Sequence, residues 1–251
     1  MNKVIILAAG KGTRMESELP KVLVPLQGRP MIEYLIESVL KSQISAKPIL
    51  VVSPSNQEII KESLQKYDLD YIVQEEQLGT GHAISCAKEL LLDSGIKNLV
   101  VFYGDHPFIQ SETMEKLIVS HYDPITMMTT QVNNFEGWHK NFIRWGRIVR
   151  NNGEIKEIVE FKDASPKQQE IKEVNPALFC FDNNWLWQNI EQLKNENNQK
   201  EYYLTDLIKI ATSQKIRINS LEIDPQEAVG INSQEELAVA EELLNKKKQA
   251  L

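Results

Sequence analysis

The chain has 251 residues, 42% of them hydrophobic, and 28 Lys and Arg against 35 Asp and Glu give a net charge of −7. That length and apolar content suffice for one large core. The acidic balance argues against a general nucleic-acid partner, whose affinity rests on phosphate contacts, so any phosphate site has to be local. No apolar run approaches the roughly 20 residues that cross a bilayer. Residues 4–9 run straight into Gly10 without a signal-peptide pattern, which reads as a cytoplasmic protein with no membrane partner.

Residues 3–7 form a short apolar run and predict a buried strand. Residues 31–41 place Ile32, Leu35, Ile36, Val39 and Leu40 on one face and predict a helix. A strand follows at 48–53, then a helix from an N-cap at Asn56 to about residue 66. Residues 71–74 predict a strand, the segment after Gly81 a helix, and NLVVFY at 98–103 a strong strand. Residues 111–121 predict a helix with a capping box at Ser111, and 125–132 a further strand. Apolar strands alternating with helices imply a parallel sheet covered on both faces. The second half changes character. Residues 145–150, Asn152-Gly153 and 155–160 predict a hairpin with a tight turn. A strand at 177–181 and helices at about 184–194, 202–213 and 233–247 complete the chain, whose tail KKKQAL reads as a frayed helix end. Cys86 and Cys180 lack metal-like spacing and are read as reduced core residues. Trp138, Trp145, Trp185 and Trp187 are read as packing residues rather than a stacking platform.

The chemistry concentrates in LAAGKGTRMESELPK, residues 7–21, placed just after the first strand. Ligands of open α/β sheets bind at that end of the strands. Gly10 and Gly12 let the backbone approach a phosphate, and Arg14 and Lys21 supply charge. The other reading is a glycine-rich turn with two solvated cations. The dinucleotide fingerprint requires a third glycine where this chain has Met15, and the P-loop pattern is missing from the sequence. Asp105 ends the 98–103 strand just after Gly104, a suitable place for a carboxylate that holds a hard cation. A turn or helix-cap role is the alternative. His106 is read as an exposed loop histidine outside the chemistry.

These residues resemble a known family. L-A-A-G-x-G-T-R-M-x4-P-K is the signature of sugar-1-phosphate nucleotidyltransferases. QEEQLGTGHA (74–83), YGDHPFI (103–109), GRIVR (146–150), IVEFKDA (158–164), EYYLTDLI (201–208) and VGIN (229–232) follow in order. In that order and spacing they resemble the uridyltransferase domain of the bifunctional N-acetylglucosamine-1-phosphate uridyltransferase/glucosamine-1-phosphate acetyltransferases. The resemblance implies an α/β, Rossmann-like fold: an open, mostly parallel mixed sheet, helices on both faces and a small β-rich sugar-binding lobe. It implies one domain over 1–251, with a nucleotide-binding half to about residue 132, a sugar lobe and return to the sheet over 133–232, and a C-terminal helix over 233–251.

By the same resemblance, Leu7, Ala8, Ala9, Gly10, Gly12 and Thr13 contact the nucleotide, and Gln74, Gly79 and Thr80 read the uracil edge. Arg14, Lys21 and Asp105 carry catalysis, and Asp105 with Asn232 holds Mg²⁺. Gly104, Gly146, Glu160, Asn175 and Thr205 hold the sugar. The implied partners are UTP and a sugar 1-phosphate, with N-acetylglucosamine 1-phosphate as the first candidate; the products are a UDP-sugar and pyrophosphate. The alternatives are another sugar 1-phosphate or nucleotide, or a catalytically weak nucleotide-sugar-binding regulatory protein. Two features depart from the family. Its usual Asn-Thr-Gly is Asn175-Pro176-Ala177 here, and the run NNFEGWHKNFIRWGRI (133–148) is longer and more aromatic. The family also continues into a left-handed β-helix that carries acetyltransfer; nothing here encodes that repeat, so acetyltransfer is not expected of this chain.

Overall fold

NKVIIL and NLVVFY are apolar at every central position, so neither face of either strand can be left in water. In the computed structural model, which describes residues 1–249, both lie at the centre of a ten-stranded sheet. The strands in chain order are β1 (Asn2–Leu7), β2 (Pro25–Leu26), β3 (Arg29–Pro30), β4 (Ile49–Val52), β5 (Asp70–Val73), β6 (Asn98–Tyr103), β7 (Ile125–Gln131), β8 (Arg147–Asn151), β9 (Glu154–Val159), β10 (Glu173–Val174), β11 (Phe179–Asp182) and β12 (Ile218–Glu222). The main sheet runs β5-β4-β1-β6-β11-β7-β10-β8-β9, with β12 also on β7 and β2-β3 forming a separate pair. The β5, β4, β1 and β6 neighbours are parallel, whereas β11 is antiparallel to both β6 and β7. The sheet is therefore mixed and mostly parallel in its first half.

Alternate residues of the central strands feed two cores. Val4, Ile6, Leu50, Val52, Val100 and Phe102 point to one face, with the helices at Met31–Ser42, Ser111–Val119 and Gln234–Gln249. Ile5, Ile49, Val51, Leu99 and Val101 point to the other, with Trp185 and Trp187. Register then fixes where chemistry can sit. Leu7 pairs with both Val51 and Tyr103, so the segments that follow β1, β4 and β6 leave the same edge side by side.

Several local expectations shift. The helix at residue 111 is preceded by Gln110, and Ser111 Oγ bonds Glu112 at 3.0 Å, so no capping box forms there. A capping box forms instead at Ser165 and Gln168. Asn56 precedes its helix without capping it: its Oδ1 accepts from Ser53 N at 2.8 Å and its Nδ2 donates to Ala8 O at 3.0 Å. The helix expected from residue 202 starts at Asp206, because Tyr202 pairs its backbone with a loop described below. Cys180 is in the core, but Cys86 is only half-buried. The Asn152-Gly153 turn forms as read, with φ 49° and 81° matching the twist of its hairpin. Helical backbone continues through Gln249, and the reading of the last two tail residues lies outside the described residues. Among the described residues, no helix is long and apolar enough to cross a membrane.

Candidate functional site

The loop after β1 is held from both sides. Ala8 N donates to Val51 O at 2.8 Å, and Asn56 grips Ala8 O. Ala8 and Ala9 are buried, while Lys11, Thr13 and Arg14 are exposed. Gly12 has φ +60°, and a Cβ there would stand 2.6 Å from Lys21 Cβ. The loop therefore folds directly onto Lys21, an approach only glycine allows.

Lys21 is the centre of the site. Its Nζ donates to Asp105 Oδ2 at 2.5 Å and to Asn232 Oδ1 at 2.9 Å, partners 84 and 211 positions away. Asp105 reaches this point because Gly104 lets the chain leave β6 tight against Leu7: Gly104 N donates to Leu7 O at 2.9 Å. Asn232 reaches it because Ile231 N donates to Asp105 O at 2.9 Å. Burial alone would raise the Asp105 pKa, but the Lys21 charge and then His106 hold the carboxyl well below the ordinary carboxylate range. Among the described residues, no cluster of three or more His, Cys, Asp or Glu is arranged around a metal point. Asp105 Oδ2 and Asn232 Oδ1 converge on the Lys21 ammonium, and both residues also border the cavity, which makes them the candidate cation ligands. Two hard oxygens with room for water and phosphate oxygens fit Mg²⁺, which takes few protein ligands.

Asp105 and Asn232 line a cavity of about 250 Å³, with Lys21 behind them, bonded to both. Arg14, Thr80, Asp105, Gly146, Glu160, Asn175, Thr205 and Asn232, all singled out from sequence, line it together. Thr205 Oγ1 donates to Glu160 Oε1 at 3.0 Å. Burial, with Asp206, Asp163 and Glu201 nearby, pushes the Glu160 carboxyl above its ordinary pKa despite that bond. A Cβ on Gly146 would lie 2.8 Å from Ile158 and 3.5 Å from the Glu160 oxygens, so glycine keeps that wall open. Asn175 is buried and accepts the Ala177 N–H at 2.9 Å, holding Ala177 at φ 59°. The alanine thus retains the left-handed conformation that suits glycine.

Gln74 and Gly79 lie beside the cavity rather than on its wall. Gln74 Nε2 donates to Gly79 O at 3.1 Å and lies 3.1 Å from His82 Nδ1. Gly79, at φ +112°, sits so close to Tyr202 that a Cβ would be 2.7 Å from its backbone. Tyr202 N donates to Leu78 O and Gly81 N to Tyr202 O, both at 2.8 Å, while Leu204 N donates to Thr80 Oγ1 at 3.0 Å. The EYYLTD segment straps the QLGTG loop in place.

Sequence reading missed part of the wall. His106 is 5% exposed, not an exposed loop residue, because Trp145 and Gly230 close over it. Arg144, Trp145, Glu201, Tyr203 and Glu236 also line the cavity. Glu201 and Tyr203 belong to a quoted motif, whereas Arg144 and Trp145 come from the long aromatic run. That run is a built element. Arg147, fully buried, donates to the carbonyls of Ile143 (2.8 Å), Trp145, Phe142 (3.4 Å) and Gln169 (3.2 Å) and stacks over Phe135 and Phe161. Burial pushes its pKa down to about 10, still charged at neutral pH.

Comparison with known proteins shows the family and the fold. Residues 4–207 match the MobA-like NTP transferase domain. The chain is 42% identical over 245 residues to the bifunctional protein GlmU of Clostridium novyi (strain NT), covering 96% of this chain and 51% of that protein. It is 40% identical over 240 residues to the GlmU of Acinetobacter baumannii (strain AYE), covering 95% and 50%. The chain thus spans about half the length of the curated relatives it matches. The crystal structure of a UDP-glucose pyrophosphorylase complexed with UDP-glucose superposes with a TM-score of 0.75 at 19% identity, covering 98% of this chain and 99% of that one, and shares the fold.

Proposed function

The chain belongs to the family of MobA-like NTP transferase domains and is a nucleotidyltransferase; from that premise we propose that it joins UTP to a sugar 1-phosphate, N-acetylglucosamine 1-phosphate being the first candidate, with release of pyrophosphate and dependence on Mg²⁺. The observation that carries this reading is a cavity lined by Asp105 and Asn232, both bonded to Lys21 Nζ, and by Glu160, Thr205 and Asn175. One end gathers charge suited to phosphates and the other gathers acceptors suited to hydroxyls. The choice of sugar and nucleotide rests on the motif resemblance, and identity to two proteins named GlmU over nearly the whole chain supports a shared family.

The acceptor needs no general base. A phosphomonoester has a second pKa of about 6, so its oxygen is already a nucleophile near neutral pH. That oxygen attacks the α-phosphorus of UTP in line, the bond to the bridging oxygen breaks, and pyrophosphate leaves with the electron pair. Lys21 holds the α-phosphate and offsets charge as the transition state forms, and Arg14 at the cavity edge does the same for the leaving group. When bound at Asp105 and Asn232, Mg²⁺ would supply further charge neutralisation on the phosphates. The Gly10–Arg14 loop orients the triphosphate, and Gln74, Gly79 and Thr80 face the base. Glu160 grips sugar hydroxyls, with Thr205 fixing the carboxylate. The nucleotide end thus falls in residues 1–132 and the sugar end in 133–232. The test is ³¹P NMR of the protein with UTP, N-acetylglucosamine 1-phosphate and Mg²⁺. The diphosphate resonances of a UDP-sugar, lost in excess chelator, are expected; UTP that persists unchanged with every sugar 1-phosphate would overturn the reading.

A further inference from the structure

His106 is buried beside the charge cluster, yet the reaction outlined above uses none of its chemistry. Its Nδ1 lies 3.0 Å from Asp105 Oδ1, while Lys21 takes Oδ2. An ionised carboxylate only accepts, so Nδ1 carries the hydrogen of that bond. The other ring nitrogen has no partner: Nε2 is buried and unpaired, aimed at Gly230, where a Cβ would be 3.0 Å away. The edge of Trp145 packs on a further side, with ring centroids 5.5 Å apart at 61°, and the residue also borders the cavity. A buried, half-satisfied imidazole is a poor choice for packing, since an orphaned polar atom costs about 1–3 kcal/mol and an apolar residue would fill the space without that cost.

We propose that His106 is a positioning residue: its Nδ1–H fixes the rotation of the Asp105 carboxylate so that Oδ2 faces Lys21 and the cation position, with Trp145 and Gly230 holding the ring in register. The inference rests on the cation reading of Asp105 and Asn232. A second group that orients a ligating carboxylate typically changes cation affinity or turnover 10–100-fold when removed. It also gives the aromatic run a task. Phe142 packs on Trp145 at 4.8 Å, and Arg147 clamps both of their carbonyls, so the rigid insert ends against the histidine that holds Asp105.

The test compares His106→Asn, His106→Gln and His106→Leu. The asparagine amide reaches the Nδ1 position and lacks the orphan; the glutamine amide reaches the Nε2 position instead; leucine does neither. Mn²⁺ affinity, read by electron paramagnetic resonance without substrates, should fall about 10-fold or more in the leucine and glutamine variants and return most of the way in the asparagine variant. The Mg²⁺ concentration for half-maximal pyrophosphate release should move in parallel while KM for UTP stays within about 3-fold, a split that loss of packing alone would not produce. Leucine and glutamine variants that bind Mn²⁺ as tightly as the parent would overturn the inference. So would an asparagine variant as impaired as leucine, which would assign the effect to ring packing. A parent protein that neither binds Mn²⁺ nor releases pyrophosphate would overturn the functional reading itself, a result distinct from either.

Discussion

Replacing Lys21 with methionine keeps most of the side-chain volume and removes the ammonium. Asp105 then loses its 2.5 Å partner and keeps His106, while Asn232 Oδ1 loses its 2.9 Å donor. Both members of the ion pair are largely buried, with 17% and 6% of the side chains exposed. Removing one partner of a buried pair costs about 3–5 kcal/mol, and the wet cavity beside this one reduces that to about 2–3 kcal/mol. For a chain of this size the melting temperature should fall by about 4–12 °C. The pH dependence follows from the depressed Asp105 pKa. A carboxylate held below its unfolded value, which is about 4, contributes stability that is present above that value and lost as pH falls toward the folded one. The gap between parent and variant should therefore be full at pH 7 and shrink below about pH 4. Turnover should fall about 10²–10³-fold, the usual loss when one preorganised charge is taken from a transition state. Thermal melts from pH 3 to 8 with pyrophosphate-release kinetics read all three quantities. A variant with unchanged melting at pH 7, a gap that persists undiminished in acid, or near-parental turnover would refute the reasoning.

Glu160→Gln should raise the melting temperature at pH 7, because the folded state holds this carboxyl above its ordinary pKa and stability is lost as pH rises through that window. The gain should vanish below about pH 4, and KM for the sugar 1-phosphate should rise about 10-fold or more as a charge-assisted contact is lost; a lower melting temperature at pH 7 would contradict it. Ala177→Gly relieves a left-handed alanine and should stabilise the protein by about 0.5–1 kcal/mol, seen as a midpoint shift in urea. Gly79→Ala forces a Cβ to within 2.7 Å of the Tyr202 backbone at φ +112° and should destabilise the protein by at least about 2 kcal/mol while raising KM for UTP, measured by melting and initial rates.

Much of the sheet was legible because its strands are apolar on both faces. NKVIIL, ILVV and NLVVFY have no solvent face, so their pattern alone implied a parallel, doubly covered arrangement. INSLE, which forms β12, has its apolar residues three apart, at Ile218 and Leu221, rather than alternating, and takes its place from pairing with β7, so no local signal marked it. Pairing across long separations was legible only as family resemblance: no spacing rule links Lys21 to Asn232, which meet because Ile231 docks on Asp105. The burial of His106 depends on Trp145 and Gly230, which arrive from 39 and 124 residues later in the chain, and local composition carries neither contact. The helix read from residue 202 begins at Asp206, because the Tyr202 backbone groups bond the QLGTG loop instead, a contact no local pattern carries.

The most direct measurement of the central claim is pyrophosphate release with Mg²⁺ over a grid of nucleoside triphosphates against sugar 1-phosphates. The account predicts release confined to UTP, greatest with N-acetylglucosamine 1-phosphate and abolished in chelator. Release that is indifferent to the nucleotide, or no release from any pair despite measurable UTP binding, would contradict it.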